Sequence, residues 1–146
     1  MPFGLECGKV TSMSDGKKIG RLIMPALRLD REEIASIREE AMRLLEAVDP
    51  CGFLLFGGRA DEVRALTEEL RRRAGRPLLF AADMERGAGQ QIAGLSVLPT
   101  PMAIAAGAHA ASLACMAGRR TAVEALSVGV NLIFAPVCDV NANPEN

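Results

Sequence analysis

Between Pro77 and Ala82 the chain passes through Leu78, Leu79, Phe80 and Ala81 without one polar residue, and this run limits the fold more than any other stretch. An apolar run without alternation reads as a β-strand covered on both faces, the kind found inside parallel sheets. Its backbone is rigid, so the residue at its end is aimed. Here that residue is Asp83, followed by Met84-Glu85-Arg86-Gly87-Ala88-Gly89-Gln90-Gln91. The pattern returns at Asn131-Leu132-Ile133-Phe134-Ala135-Pro136-Val137-Cys138-Asp139-Val140-Asn141, an apolar strand ending in an aspartate and amides. Two strands that deliver acids to one end of a sheet predict a site there.

The remaining segments alternate in the same way. Ile19 to Ala26 is the expected first strand. Asp30 and Glu33 form a capping box before a helix whose apolar face is Ile34, Ile37, Ala41, Leu44, Leu45 and Val48, stopped by Asp49-Pro50. Gly52 to Phe56 is the second strand. Val63, Leu66, Leu70 and Ala74 give the next helix one buried stripe, ended by Gly75-Arg76-Pro77. Pro99 to Ala106 reads as a short helical piece, His109 to Val128 as a longer Ala-rich helix ended by Gly129, and strand four as running to Val140.

Strands alternating with helices predict an α/β fold with a parallel sheet and right-handed crossovers, all strand C-termini facing one way. Gly57-Gly58-Arg59, the Asp83 to Gln91 segment and Asp139-Val140-Asn141 then converge on one edge. Pro136 conflicts with its strand because it lacks a ladder donor, and a bulge is expected there. No repeat or low-complexity linker marks a domain boundary.

Charge excludes some functions. Lys and Arg number 17 against 18 for Asp and Glu, so no nucleic-acid or anionic-membrane partner is indicated. The one basic run, Arg71-Arg72-Arg73, falls in the last turn of a helix, where cations complement the dipole. Cys7, Cys51, Cys115 and Cys138 show no Cys-x-x-Cys spacing, and the single histidine, His109, lies far from them in sequence. Neither a zinc motif, a disulfide framework, a signal peptide nor a membrane span is expected, and no cofactor; the default is a reduced, cytoplasmic protein. Met13 allows a later start.

Asp83 read alone serves equally as a helix cap, a loop ion-pair partner or a functional carboxylate. Glu85 and Arg86 are near enough in sequence to tune it, although an exposed ion pair contributes little. Gln90 and Gln91 supply amide hydrogen bonds or form a solvated turn. Asn141, Asn143 and Asn146 around Pro144 read as turn chemistry. His109 begins a helix and is rejected as a base. Gly57-Gly58 or Gly87-Ala88-Gly89 suggests a phosphate loop, but the nucleotide fingerprint requires glycine where Ile92 stands.

Ordered segments along residues 18–146 resemble the N-terminal half of a glycoside hydrolase family 3 catalytic domain, on the β-N-acetylhexosaminidase and β-glucosidase side. They are Lys18-Ile19-Gly20-Arg21-Leu22-Ile23-Met24, Gly52-Phe53-Leu54-Leu55-Phe56-Gly57, Asp83 to Gln91, Leu98-Pro99-Thr100-Pro101-Met102-Ala103 and Gly129-Val130-Asn131 onward. Residues 1–17 are then an N-terminal extension. The resemblance implies a (β/α)8 TIM barrel that cleaves a terminal β-linked N-acetylhexosamine or glucose with retention. A complete barrel takes about 250 residues, so 146 residues correspond to about its first half, cut after the fourth strand.

By the resemblance Asp83 binds hydroxyls of the terminal sugar, which suits a carboxylate because its two oxygens accept from two neighbours. Asp139 either contacts sugar or holds the strand-four loop. Arg86 and Ala88 depart from the family's paired glycines and following arginine. The absence of Trp and Tyr, with five Phe, makes hydrogen bonding the expected dominant contact. Retention needs two catalytic groups, usually carboxylates about 5 Å apart, and in the family neither lies in this half. The chain is therefore expected to be inactive alone, with a non-catalytic sugar-binding or self-assembling half-barrel as the alternative. Its open edges suggest a homo-oligomer.

Overall fold

The computed structural model describes residues 14–139 and residue 142. The sequence readings at Cys7, Met13, Val140, Asn141, Asn143, Pro144 and Asn146 lie outside the described residues. Four strands, β1 (Ala26–Arg28), β2 (Gly52–Phe56), β3 (Leu79–Asp83) and β4 (Leu132–Phe134), pair in the order β1-β2-β3-β4, every pair parallel. Helix α1 (Asp15–Gly20) precedes the sheet, α2 (Ile34–Val48) and α3 (Ala60–Ala74) form the first two crossovers, and α4 (Pro101–Ala105) with α5 (Ala110–Ser127) forms the third. This is the α/β arrangement of half a (β/α)8 barrel, with sequential neighbours paired and all strands running one way.

Strand alternation assigns the two faces. Leu27, Phe53, Leu55, Leu78, Phe80, Ala82 and Met84 are buried in one cluster with Ile37, Ala41 and Leu45 of α2, Val63, Leu66 and Leu70 of α3, and Ala125 of α5. Each large side chain removed from water there contributes about 1.5–3 kcal/mol before its ordering entropy is counted. The residues between them, Ala26, Leu54, Leu79, Ala81 and Leu132, belong to the other face, where Leu79 is 42% exposed. The unbroken apolar run therefore encodes a two-faced interior strand of which the helices cover one side.

Helix ends follow local chemistry. Asp49, at the C-terminus of α2, takes the left-handed conformation at φ 53°, one that Asp tolerates better than most residues. Gly75 does the same after α3, at φ 61°. The far end of α5 is gripped by three α3 side chains. Arg64 Nε donates to the Ser127 carbonyl at 2.8 Å, Thr67 Oγ1 to that of Val128 at 3.0 Å, and Arg71 to that of Gly129. Carbonyls left over at a helix terminus are thereby satisfied. Arg71 also lies 5.0 Å from the centroid of the Phe80 ring, so the basic run does more than complement a dipole.

Three sequence expectations are corrected. The first strand begins at Ala26, and Ile19-Gly20 ends a helix instead. Gly20 is there because a Cβ would collide with the Val48 carbonyl. Asp30 caps nothing; α2 starts after Glu33 without a side-chain cap, and Asp30 pairs with Arg28 at 3.2 Å. The N-terminal acceptor appears on α3, where Glu62 accepts from the Arg59 N–H at 3.2 Å. Strand four stops at Phe134, and the Ala135–Pro136 bond that follows is cis; a proline cannot continue a ladder, and the chain leaves the sheet there in place of a bulge.

Asp49 also ties α1, α2 and the exit from α3 together, accepting from Arg21 Nη2 at 3.0 Å and from the Arg76 guanidinium. Burial pushes its carboxyl up, but hydrogen bonds and charge from Arg76 and Arg21 outweigh this and hold it below the ordinary carboxylate range. A depressed folded pKa gives stability that is complete above the unfolded value of about 4 and is lost as pH falls through the folded one. Urea unfolding at pH 7, 5 and 3 should show Asp49→Asn less stable than the parent at pH 7, with the gap narrowing toward pH 3. A gap independent of pH would remove Asp49 from the acid response.

Candidate sugar-binding site

Strand register builds the site. Arg28 pairs with Phe56 and Asp83 with Phe134, and continuing the β2–β3 register from Leu54 and Ala81 sets Phe56 beside Asp83. Arg28, Phe56, Asp83 and Phe134 thus form one row across the C-terminal edge of the sheet, on the face without helices. Asp83 is half-buried and Phe134 is 45% exposed. Among the described residues no side chain pairs with the Asp83 carboxylate, whereas Arg28 is engaged with Asp30 and lies 4.6 Å from the Phe56 ring centroid. Each member of the row ends its strand. For Phe56 that position was a readable signal, whereas Arg28 and Phe134 were hidden because the first and fourth strands were expected to end at Ala26 and Val140.

The loop after β3 is held by its own polar groups. Gln90 Oε1 accepts from the Arg86 N–H at 2.7 Å, the Leu98 N–H donates to the Arg86 carbonyl at 2.8 Å, and Gly89 N–H donates to Ser96 at 2.9 Å. Gln91 Oε1 accepts from the Gly57 N–H at 3.3 Å, and Ala93 exchanges backbone hydrogen bonds with Gly58 and Ala60 at 2.9 and 3.0 Å. Both glutamines therefore fasten the loop. The expected convergence of Gly57-Gly58-Arg59 with the Asp83 to Gln91 segment is present in these contacts.

Glycines in this loop serve packing. A Cβ on Gly87, whose φ is 84°, would come 2.5 Å from the Ser96 carbonyl oxygen, and one on Gly89 would strike the carbonyl of Leu95. The returning Leu95-Ser96 segment fills the space that a phosphate would need at Gly87 and Gly89, and Asp30 and Leu29 crowd Gly57 and Gly58.

Glu85 and Arg86 are exposed, and among the described residues they form no ion pair with Asp83 or each other. Asp139 is exposed beyond the end of β4; the row places Phe134, and not Asp139, beside Asp83. His109 is exposed at the start of α5 and makes no side-chain cap. A cavity of about 440 Å³ lies near Glu85, Leu98, Ile104, Ala117 and Ile133. Its lining is apolar apart from Glu85 and Thr121 and lacks Asp83, so it is unsuited to a polyhydroxylated ligand. Among the described residues, no cluster of His, Cys, Asp or Glu is placed to hold a metal ion, and no helix is long and apolar enough to cross a membrane.

Known proteins match along the same span. The family described as glycosyl hydrolase family 3 N terminal domain matches residues 16–146. A beta-hexosaminidase of Actinobacillus succinogenes is 31% identical over 113 residues, covering 72% of this chain and 33% of its own length. That of Histophilus somni is 30% identical over 112 residues, covering 71% and 32%. Among solved structures, beta-glucoside phosphorylase BglX bound to 2FGlc superposes with a TM-score of 0.77 at 28% identity, over 92% of this chain and 23% of that one. The chain spans about a third of the length of the curated relatives it matches. With a parallel βα half-barrel, an aspartate at the end of its third strand and a family match over nearly all its residues, this chain belongs to glycosyl hydrolase family 3.

Proposed function

We propose that this chain supplies the sugar-recognition edge of a family 3 barrel that cleaves a terminal β-linked N-acetylhexosamine or glucose with retention, in carbohydrate or cell-wall sugar metabolism. The carrying observation is Asp83, a half-buried carboxylate without a side-chain partner among the described residues, at the C-terminal end of a rigid strand. Its two oxygens suit a pair of adjacent hydroxyls. Phe56 and Phe134 on either side offer apolar surface to the C–H face of a sugar ring, and Glu85 and Arg86 stand at the rim. Relatives named as beta-hexosaminidases and a beta-glucoside phosphorylase support a hexose and leave its identity between the two classes.

Hydrolysis by retention needs a nucleophile and an acid/base about 5 Å apart. Asp83 acts here as a binding group, and we assign neither role to any residue of this chain. Purified protein should give no turnover of aryl β-N-acetylglucosaminide or β-glucoside. Turnover that disappears in Asp83→Ala would overturn that assignment.

Where this chain stands within a complete family 3 barrel, Asp83→Asn should lower kcat/KM by about 10²- to 10⁴-fold, through loss of charged hydrogen bonds that strengthen in the transition state. The circular dichroism spectrum should not change. Kinetics near those of the parent would show that Asp83 is not a sugar ligand.

A second reading rests on the helix-free face. Leu79 and Phe134 are exposed on it, at 42% and 45%, and among the described residues β1 and β4 have no outer strand partner. An apolar sheet face with open edges seeks cover. We infer that the isolated chain self-associates through this face, two copies making an eight-stranded arrangement with two Asp83 edges. Light scattering after gel filtration should give a mass above that of the monomer. A monodisperse monomer that binds no ANS and melts cooperatively would contradict it.

A further inference from the structure

Glu124 is a carboxylate on α5, 9% exposed, that the sugar-binding role does not use. A buried charge is costly unless its oxygens are occupied, so its partners show what it is for. Oε2 accepts from the Ser96 N–H at 2.9 Å and Oε1 from the Ser96 hydroxyl at 2.8 Å, while Arg120 Nη2 lies 2.7 Å from Oε1. Arg120 also donates to Ser96 Oγ at 3.1 Å. Burial pushes the carboxyl up, yet the Ser96 backbone and hydroxyl together with Arg120 outweigh it and hold the group below its ordinary range.

Two acceptor atoms on the two donors of one residue fix its orientation as well as its position. The Ser96 carbonyl then accepts from Gly89 at 2.9 Å, and the Ser96 backbone lies where side chains on Gly87 and Gly89 would have to go. Ser96 is thus wedged between Glu124 and the turn that follows Asp83-Met84-Glu85-Arg86. The opposite side of the loop is fastened to Gly57, Gly58 and Ala60.

We propose that Glu124 is a positioning residue that, through Ser96, holds the loop after β3 in the geometry presenting Asp83, Glu85 and Arg86 to a sugar. The loop part stands on its own, and the sugar part rests on the Asp83 reading above. A loop ordered before binding loses less freedom on binding, so affinity depends on the clamp although Glu124 touches no ligand.

The test compares the full chain with Glu124→Ala, Glu124→Gln and Ser96→Ala. Hydrogen exchange followed by mass spectrometry should accelerate about 10-fold or more in peptides covering residues 85–98 of Glu124→Ala, on loss of hydrogen bonds to a charged group. Peptides of β1 and β2 should keep the parent rate. Glu124→Gln, of the same shape and still able to accept from Ser96, should restore part of the protection, and it serves if the alanine variant does not fold.

Nuclear magnetic resonance titration with glucose and with N-acetylglucosamine should then show weaker binding in Glu124→Ala, intermediate binding in Glu124→Gln and loss in Asp83→Asn. Unchanged loop exchange, or acceleration spread evenly over the chain, overturns the clamp. A faster-exchanging loop with parental sugar affinity overturns its role in positioning. No binding of either sugar by the parent, with the loop result intact, removes the Asp83 reading and with it the sugar part of the proposal.

Discussion

Parallel pairing is the constraint from which the rest of this structure follows. Parallel neighbours cannot be joined by a tight turn, so each strand returns through a helix, and right-handed crossovers place successive helices on one side. Burial agrees with that geometry, since the strand residues clustered with α2, α3 and α5 all come from one alternation of each strand. The same polarity sets every strand C-terminus on one edge. Arg28, Phe56, Asp83 and Phe134 meet there through register alone.

The two ends of the sheet divide the work. Around Asp49, ion pairs with Arg21 and Arg76 join segments that enter and leave the N-terminal end. The Arg64, Thr67 and Arg71 contacts to carbonyls 127–129 secure the turn into β4 at that end. Asn131 completes this bottom layer, its side chain accepting from Phe80 at 2.8 Å and donating to the Leu78 carbonyl at 3.0 Å. The opposite end carries Asp83, whose carboxylate has no side-chain partner among the described residues. In (β/α)8 barrels generally, the N-terminal ends of the strands serve stability and the C-terminal ends carry the site.

How much of this was legible in sequence depended on whether a local signal had competition. Gly52 to Phe56 was readable to the residue and the stripe Val63, Leu66, Leu70 and Ala74 nearly so, missing only the buried Thr67, because an apolar run and a helical period each stood between clear stops. Ile19, Leu22 and Ile23 misled, since the end of a short helix and the turn after it, with exposed apolar residues, offer the same composition as a strand. Asp30 matched a capping box but is claimed by Arg28, a guanidinium only two residues away that competes locally for the carboxylate. Asp83 was visible as a strand end. That Phe56 and Phe134 flank it was not, because register is a property of pairs of strands.

The glycines after Asp83 show how one sequence pattern can carry two physical meanings. A glycine pair beside a strand end admits close approach of something, and sequence alone leaves open whether that is a phosphate or another stretch of backbone. Here the approaching group is the Leu95-Ser96 backbone, and what holds that backbone in place is a charged side chain from α5, the helix that leads into the next strand. The C-terminal edge of the sheet therefore draws its order from the following βα unit as well as its own. A strand can aim its own last residue, but the residues beyond need a second anchor, and in this chain that anchor lies on a helix packed against the loop.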